Sequence, residues 1–229
     1  MGKSRMETVV ISLGGSVLAP AAIDTKFLSE FRELILRFSK ERRFVIICGG
    51  GKTARDYMKA AAEVTTLTNE DLDWLGIHAT RLNAQLLRNV FRGVAYQRVI
   101  KNPTEKITAK EHVIIAAGWK PGRSTDHIAV LLAKNVGAKK VINITNTSYV
   151  YDKDPSKFPD AKPIDSLTWK DFKKLVTQTR WSPGMNAPFD PIAAKEAEKL
   201  GLQVAIIGKD LKNLAGFLEG EKFTGTTIN

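Results

Sequence analysis

The sequence has few of the features that assign a protein to a class at once. Its 229 residues contain one cysteine, Cys48, which excludes an internal disulfide and is typical of a protein from the reducing cytoplasm. No apolar run is long enough to span a bilayer, so we expect no membrane partner. Residues 1–5 lead directly into a strand pattern, which predicts no signal peptide. We therefore expect a cytoplasmic protein, with residues 1–5 as a remnant that precedes the folded domain.

Motifs for metal binding and for nucleophilic catalysis are also missing. The three histidines, His78, His112 and His127, do not have a metal-ligand spacing, and we expect them to be structural or surface residues. No Ser-His-Asp set and no Cys/His cluster is present. The sequence therefore assigns no protein ligand to a metal.

Acidic residues are in the minority. The chain has 35 lysines and arginines against 24 aspartates and glutamates, which gives a formal net charge of +11. A basic balance suits nucleic acid, but it also suits a pocket for anionic nucleotides. The basic residues are scattered, and no run of them is interleaved with aromatic residues. We expect small anionic ligands and no nucleic-acid partner, with a nucleic-acid module as a minor alternative.

The most informative stretch is a predicted strand followed by three glycines. Residues 44–48 are apolar and mostly β-branched, which predicts a buried strand, and Gly49–Gly51 follow directly. Residues 52–62 predict a helix with Lys52 and Arg55 in its first turn. Backbone amides without a Cβ beside them can touch a phosphate, which the helix dipole and the two cations attract. A tight turn without a ligand is the simpler alternative, but three glycines followed by two cations favour a phosphate site.

Two well-known phosphate motifs do not fit this stretch. A P-loop needs a glycine five residues before Gly51, and that position is Ile46. The dinucleotide-binding fingerprint fits loosely, but it needs a second strand about 20 residues further on. Residues 65–71 instead predict the start of a helix. The site is therefore of another type.

The predicted strand over residues 8–13 ends in the first glycine turn of the chain, Gly14-Gly15-Ser16, and Gly49–Gly51 form the second glycine turn. A helix capped by Asp24 separates the first turn from the strand over 44–48. Because ligands of parallel sheets bind beyond the carboxyl ends of the strands, we expect both glycine turns to face one crevice.

The rest of the chain alternates between predicted strands and helices. Strands are predicted over 94–100, 112–117, 140–145 and 202–207. Helices are predicted over 71–91, 125–136, 167–176, 191–200 and 213–218. The core face predicted for the helix over 71–91 consists of Leu75, Ala79, Leu82, Leu86 and Val90. This alternation is typical of an α/β protein with a mainly parallel sheet and helices on both faces.

Two aspartates have two interpretations each. Asp73, in the first turn of the helix over 71–91, either complements the helix dipole or accepts hydrogen bonds from a sugar, and its spacing alone favours the first. Asp126 opens the next long helix, after a loop whose Trp119, Lys120 and Arg123 suit a base and a phosphate. It is either a capping residue or a member of the anion site.

In this order the motifs resemble those of the amino acid kinase family, and within it the archaeal type of UMP kinase. The matching segments span nearly the whole chain and are 11–18, 49–55, 75–84, 121–126, 151–155, 190–195 and 225–228. The resemblance implies a single domain over 1–229 with a three-layer αβα fold, in which about 6–135 form the UMP side and 136–229 the ATP side. It also implies ATP-dependent phosphorylation of UMP to UDP with Mg²⁺, and a homohexamer built from dimers.

The resemblance also implies roles for individual residues. For UMP binding it selects Gly50, Asp73, Trp119, Lys120, Pro121, Gly122, Arg123, Ser124 and Thr125. For ATP binding it selects Gly15, Ser16, Gly51, Arg55, Thr145, Asn146, Tyr151 and Asp154. The candidate catalytic residues are Lys52, Arg55, Asp126 and Asp190. The two aspartates match acidic positions that the family uses to arrange catalytic groups and metal.

The chain departs from the family at two places. Many members have a lysine at the position of Ser12 that stabilises the transferring phosphoryl group, so Lys52 or Arg55 has to supply that charge. Where the family usually has Val-Asp-Gly, this chain has Thr147-Ser148-Tyr149, so a tight turn has to accommodate a side chain and a carboxylate is lost.

Two alternatives remain open on these grounds. The first is another small-molecule kinase of the same fold, such as an isopentenyl phosphate kinase, although the histidine which that group has shortly after its triple glycine is absent from residues 52–58. The second is a non-catalytic binder of nucleotides or oxoanions, which the changed residues at 147–149 motivate.

Overall fold

Alternating strands and helices build a central sheet that is covered on both faces. The computed structural model describes residues 6–176 and 188–229, so residues 1–5 lie outside it. The strands are β1 (Glu7–Leu13), β2 (Arg42–Cys48), β3 (Val113–Ala116), β4 (Lys140–Ile144), β5 (Val150–Tyr151), β6 (Pro163–Ile164), β7 (Ser166–Leu167), β8 (Gln203–Ile207) and β9 (Gly225–Ile228). The helices are α1 (Gly15–Leu18), α2 (Thr25–Phe38), α3 (Gly51–Val64), α4 (Asn69–Val90), α5 (Thr125–Val136), α6 (Trp169–Leu175), α7 (Pro191–Lys199) and α8 (Leu211–Glu219).

Seven strands form one sheet in the order β3-β2-β1-β4-β8-β9-β7. Each pairing in this sheet is parallel except that of β8 with β9. Strands β5 and β6 form a separate antiparallel pair. The predicted α/β class with a mainly parallel sheet is confirmed.

The strand predicted over 94–100 is wrong. This stretch touches β3 only through two isolated bridges, Ala95 with Val113 and Ile100 with Ala116. The chain bends at residues 97–98, between the two bridges. The β-branched residues there correctly indicate an extended segment, but no ladder forms because the segment meets the sheet edge at two points only.

Apolar side chains fill both faces of the sheet. Ile11 on β1 packs in one cluster with Phe31 of α2 and Leu87 of α4. The adjacent Val10 packs in a second cluster with Phe172 of α6 and with residues of α5 and α7. Successive side chains of a strand point to opposite faces, so a strand between two helical layers is apolar throughout. The predicted three-layer αβα fold follows from this burial.

Several helices begin where the sequence predicted. The side chains of Asp24, Ser124 and Asp190 each accept a hydrogen bond from a backbone N–H in the first turn of α2, α5 and α7. Thr68 and Asp71 form a capping box before α4. The caps of α4, α5 and α7 fix the starts of the three helices that begin near the candidate site.

The core face predicted for α4 is only partly right. Ala79 is buried, but Leu82 is 64% exposed. The buried face instead includes two polar residues, Thr80 and Asn83. Both side chains form hydrogen bonds to loops at the carboxyl ends of the strands. These polar contacts, which an apolar pattern does not reveal, influence which face of α4 is buried.

Candidate active site

Two glycine turns come into contact at the carboxyl ends of β1 and β2. Gly49 donates its N–H to the Leu13 carbonyl at 2.9 Å. A Cβ atom added to Gly15 would lie 2.6 Å from the carbonyl carbon of Gly49 and would overlap the Gly51 nitrogen. Gly51 also has a φ of +62°, in the left-handed region that favours glycine. The two turns share one crevice, as the sequence predicted, and no side chain fits between them.

The first turn of α3 is built to receive an anion. Gly50 stands at the N-cap and has no side chain that could accept the N–H groups of this turn. Lys52 forms an ion pair with Asp56, with Nζ 2.5 Å from Oδ2, on the exposed side of the helix. Arg55 is exposed in the next turn. Because an exposed ion pair contributes little free energy, Lys52 can leave Asp56 for a phosphate at small cost.

Side chains of α4 form hydrogen bonds to the backbone on both sides of the crevice. Asn83 Nδ2 donates to the two carbonyls of the second glycine turn, at 2.8 and 3.2 Å. Thr80 Oγ1 accepts the Gly118 N–H at 2.8 Å, and Arg81 donates to backbone carbonyls of the same loop at 3.1 and 3.3 Å. The sequence analysis did not select these three residues. The available signal was the presence of polar residues between apolar ones along the helix.

Asp73 lies in the second turn of α4, which begins at Asn69, and faces the loop before α5. It is buried, and its Oδ2 accepts the Gly122 N–H at 2.7 Å. Burial raises the pKa of Asp73, the hydrogen bond from Gly122 lowers it, and the charge of Glu70 adds to the increase. The helix dipole alone does not require a carboxylate to be buried or to contact a loop 49 residues away along the chain.

The loop before α5 does not bring all of its selected side chains to Asp73. Gly122 lies against Asp73, whereas Trp119 and Arg123 line a separate groove along α5 and α7 with a volume of about 470 Å³. The guanidinium Nη1 of Arg123 lies 3.4 Å from Nδ1 of His127. In this arrangement the backbone of the loop meets Asp73, and its two largest side chains point elsewhere.

The other selected residues of this loop have simpler positions. The Lys120 ammonium lies 4.2 Å from the centre of the Trp119 ring. Pro121 is half-buried, and Thr125 is the first residue of α5. Ser124 caps α5 and also takes part in the cluster described next.

Polar side chains at the starts of α5 and α7 form a linked cluster. Ser12 Oγ donates to Asp126 Oδ1 at 3.0 Å, and the Asp190 N–H donates to Asp126 Oδ2 at 3.2 Å. Ser124 Oγ donates to Asp190 Oδ2, while Asp190 Oδ1 accepts the Ile192 N–H at 2.7 Å. The two aspartates predicted from the sequence are therefore in one place, and each carboxylate is held at both oxygens.

A buried asparagine fixes the approach to this cluster. Asn143 on β4 is paired with Ser12 in the register of β1 and β4. Its Nδ2 donates to the Pro188 carbonyl at 3.0 Å. Asn143 thereby holds the backbone just before Asp190, and the sequence analysis did not select it.

The surroundings of Asp126 favour its protonated form. Part of the residue is exposed, but protein surrounds its carboxyl group. Loss of hydration and the nearby charge of Asp190 raise the pKa of Asp126 to about 7, and the hydrogen bonds from Ser12 and from the Asp190 backbone oppose this increase. Asp126 therefore changes its charge close to neutral pH.

A second cavity, of about 470 Å³, lies beyond the carboxyl ends of β1 and β4. Five residues selected for ATP binding line it, namely Ser16, Thr145, Asn146, Tyr151 and Asp154. Tyr149 lines it as well. Asp73 contacts the loop that follows β3, on the opposite side of β1 from β4. The glycine turns at the ends of β1 and β2 therefore lie between this cavity and Asp73.

Within residues 6–176 and 188–229, no three His, Cys, Asp or Glu side chains are grouped for metal binding. No helix in these ranges has the length and apolarity to cross a membrane.

Known proteins with related sequences and folds place this geometry in context. Residues 7–208 match the profile of the amino acid kinase family. The chain is 36% identical to the uridylate kinase of Thermoplasma volcanium over 97% of both chains, and 34% identical to that of Thermococcus sibiricus over 96% of this chain and 98% of the other. The crystal structure of uridylate kinase from Archaeoglobus fulgidus superposes with a TM-score of 0.84, at 33% identity, and covers 96% of this chain and 99% of that one.

Proposed function

The chain belongs to the amino acid kinase family, and on that premise we propose that it is a UMP kinase, which transfers the γ-phosphoryl group of ATP to UMP and forms UDP. One observation carries this proposal: the two glycine turns touch, with a buried aspartate on one side and a nucleotide-sized cavity on the other. Two nucleotides bound on the two sides would have their phosphates together at the turns.

On the acceptor side, we propose that UMP binds between the second glycine turn and the loop before α5. Asp73 Oδ2 is occupied by the Gly122 N–H, which leaves Oδ1 to accept a ribose hydroxyl. Gly50 is the N-cap of α3 and provides no side-chain cap, so the N–H groups of the first turn can donate to a phosphate. Lys120, Pro121, Ser124 and Thr125 are the other residues selected for this side, whereas the side chains of Trp119 and Arg123 line the separate groove along α5 and α7.

On the donor side, we propose that the adenosine half of ATP occupies the cavity lined by Thr145, Asn146, Tyr151 and Asp154. Asp154 accepts the N–H and the hydroxyl of Ser156, and these hydrogen bonds lower the pKa of Asp154, so it stays ionised and can accept from a sugar. Gly15, Ser16, Gly51 and Arg55 would then meet the phosphates. On this proposal, residues 6–135 supply the UMP side and 136–229 the ATP side.

The reaction asks for alignment and charge neutralisation more than for covalent chemistry. A phosphoryl group in transfer carries negative charge on its equatorial oxygens, which backbone N–H groups and cations stabilise. Ser12 cannot supply a charge, and we assign that role to Arg55 and Lys52 beside the glycine turns. We infer that Asp126 and Asp190 position the starts of α5 and α7 around the reacting phosphates.

Magnesium fits this site as a partner of ATP. The ion commonly takes one or two carboxylates in addition to phosphate oxygens, and Asp126 and Asp190 are the carboxylates present. Their oxygens already accept hydrogen bonds from protein groups, so contact through water suits them better than direct ligation. When bound, the ion neutralises charge on the phosphates.

The assay that tests the function uses UMP, CMP, dUMP and isopentenyl phosphate as acceptors, each with ATP and Mg²⁺. We expect UDP from UMP, and the same measurement ranks the other acceptors. If UMP gives no UDP above the enzyme-free background, the UMP kinase proposal is wrong. Tight nucleotide binding in calorimetry without any product would then identify a non-catalytic binder.

We further propose that the chain forms a homo-oligomer, a hexamer built from dimers as in the family it belongs to. Helix α4 carries large apolar side chains at the surface: Trp74 is 38% and Leu82 64% exposed. Exposed apolar groups of this size are common where subunits meet.

A further inference from the structure

The segment Thr147-Ser148-Tyr149, where the family usually has Val-Asp-Gly, is not strained. Glycine at the third position would be required only if the backbone there had a positive φ. Among the described residues, no residue other than glycine has one. Tyr149 therefore adopts an ordinary conformation, and the turn does not need the missing glycine. The expected conflict with the tyrosine Cβ does not arise.

Contacts on both sides hold Tyr149 in place. The Val150 N–H donates to Thr226 Oγ1 at 2.8 Å, and that fully buried hydroxyl donates to the Ile164 carbonyl at 2.6 Å. On the other side Ser148 packs directly against Gly208, where an added Cβ would lie 2.5 Å from the Ser148 hydroxyl oxygen. The side chain of Tyr149 thus starts from a fixed backbone.

Tyr151 lies in the short strand β5, and Tyr149 directly precedes this strand. They are two residues apart, and Val150 between them is buried, so both tyrosines point towards the cavity that they line. Their ring centres are 6.3 Å apart with an angle of 76° between the planes, which is a favourable edge-to-face pair. Tyr151 matches a position of the family motif, whereas Tyr149 adds a second ring.

We propose that Tyr149 is a specificity-determining residue of the donor site. Its ring forms an additional aromatic wall for the nucleobase and favours a purine over a pyrimidine, because the larger ring system offers more surface for stacking. The proposal rests on the proposed function, since it takes this cavity as the site of ATP. It also explains how this site can bind a nucleotide in its cavity although Ser148 stands where the family usually has an aspartate.

The test is calorimetric titration with ADP and with CDP, in the absence of any acceptor, on the wild-type chain and four variants. Tyr149→Gly restores the residue usual in the family, Tyr149→Leu keeps the bulk without the ring, and Tyr149→Phe keeps the ring. Phe158→Ala is the matched control, since Phe158 is an exposed aromatic residue of the loop between β5 and β6 that does not line the cavity. If Tyr149→Gly does not fold, Tyr149→Leu still tests the proposal, because it also removes the ring.

Removing one stacking partner is expected to weaken ADP binding about tenfold. CDP binding should weaken less, so the preference for ADP narrows in Tyr149→Gly and Tyr149→Leu. Tyr149→Phe should retain the preference, and Phe158→Ala should bind both nucleotides as the wild type does. In steady-state kinetics, the KM for ATP should rise by the same factor while the KM for UMP stays within about twofold.

The inference is overturned if Tyr149→Gly and Tyr149→Leu bind ADP within about twofold of the wild type, or if ADP and CDP weaken equally. The outcome is separable from that of the proposed function. If the wild-type chain forms no UDP, while the variants without the Tyr149 ring bind ADP more weakly than the wild type, the kinase proposal is overturned and the proposed role of Tyr149 is supported.

Discussion

At the scale of single residues, the site depends on a carboxyl group that protein surrounds. Asp126 accepts hydrogen bonds from Ser12 and from the Asp190 backbone, and Asp190 is held in turn by Ser124. The cluster joins the carboxyl end of β1 to the starts of α5 and α7 beside the crevice. A change at Asp126 is therefore expected to disturb the alignment of the phosphates more than the fold.

Asp126→Asn is expected to lower the turnover of UMP by about 10²-fold or more while the protein stays folded, because a misplacement of the reacting groups by about 1 Å can cost about 10²-fold. The measurement is the rate of UDP formation, with circular dichroism as the test of folding. The matched control is Asp165→Asn, which removes an exposed carboxylate between β6 and β7, outside the candidate site. Wild-type turnover in Asp126→Asn would contradict the role given to this residue.

The raised pKa of Asp126 also predicts how stability depends on pH. Between pH 4 and about 7 the folded chain holds a proton on Asp126 that the unfolded chain has released, so the free energy of unfolding falls as pH rises through this range. Asp126→Asn removes this dependence. From pH 5 to pH 8 the wild type should therefore lose about 2 kcal/mol relative to the variant.

Urea denaturation of both proteins at a series of pH values measures this difference. Parallel pH profiles would show that Asp126 has an ordinary pKa in the folded state. A difference of the opposite sign would show that the folded state instead favours the ionised form.

At the scale of the elements, the crevice exists because two backbone turns replace side chains where β1 and β2 end. The sequence predicted this part well, since a strand, a run of glycines and a helix start are local signals. It did not predict how α4 serves the turns. Thr80 and Asn83 bond to loops more than 30 residues away along the chain, and a helical pattern contains no information about such partners.

The same limit explains which site residues the sequence placed correctly. Asp126 and Asp190 lie in the first turn and at the cap of their helices, which is a local feature, but their contact with each other depends on the packing of α5 against α7. The strand predicted over 94–100 was wrong for a related reason, because extended local geometry does not decide whether a segment pairs with the sheet. The resemblance to a family supplied the long-range arrangement that spacing alone could not.

Gly51→Ala tests whether the contact between the turns matters. An alanine at a positive φ costs about 1–3 kcal/mol wherever it occurs. At Gly51 its Cβ would also lie 2.5 Å from the Gly15 carbonyl carbon, whereas at Gly220, with a φ of +83°, nothing lies within 4 Å. We expect Gly51→Ala to bind both nucleotides at least about tenfold more weakly, and Gly220→Ala to bind them normally despite a similar backbone cost.

Calorimetric titration of both variants with UMP and with ADP gives these affinities, after a thermal melt confirms that each variant is folded. Equal nucleotide affinities in the two alanine variants would show that only backbone strain matters. The contact between the glycine turns would then have no part in binding.

At the scale of the whole molecule, β1 is the third strand of a seven-stranded sheet, with β2 and β3 on one side of it and β4 on the other. We propose that UMP binds on the β2 side of β1 and ATP on the β4 side. The net charge of +11 belongs to the chain as a whole and suits anionic substrates. Assembly is a property of the same scale, and the exposed apolar residues of α4 are the feature that motivates it.

Light scattering on the purified chain is expected to give about six times the mass of one chain, which is 25.3 kDa. The physical reason is that exposed side chains such as Leu82 leave water when subunits associate. Leu82→Glu should lower the assembled mass, because it would bury a charge, while Lys209→Gln, which also lowers the net charge by one at an exposed position, serves as a control for the charge change. A wild-type mass of one chain would contradict the proposed hexamer.

The central claim is that donor and acceptor phosphates meet at the two glycine turns, and a bisubstrate ligand tests it most directly. The ligand is adenosine joined to uridine, 5′ to 5′, through a polyphosphate chain, and the measurement is its calorimetric titration. If both sites share the crevice, one molecule should bind per chain, at least about 10²-fold more tightly than ADP or UMP, and saturation with either nucleotide should exclude it. Binding no tighter than that of ADP, with UMP still able to bind alongside, would contradict the account.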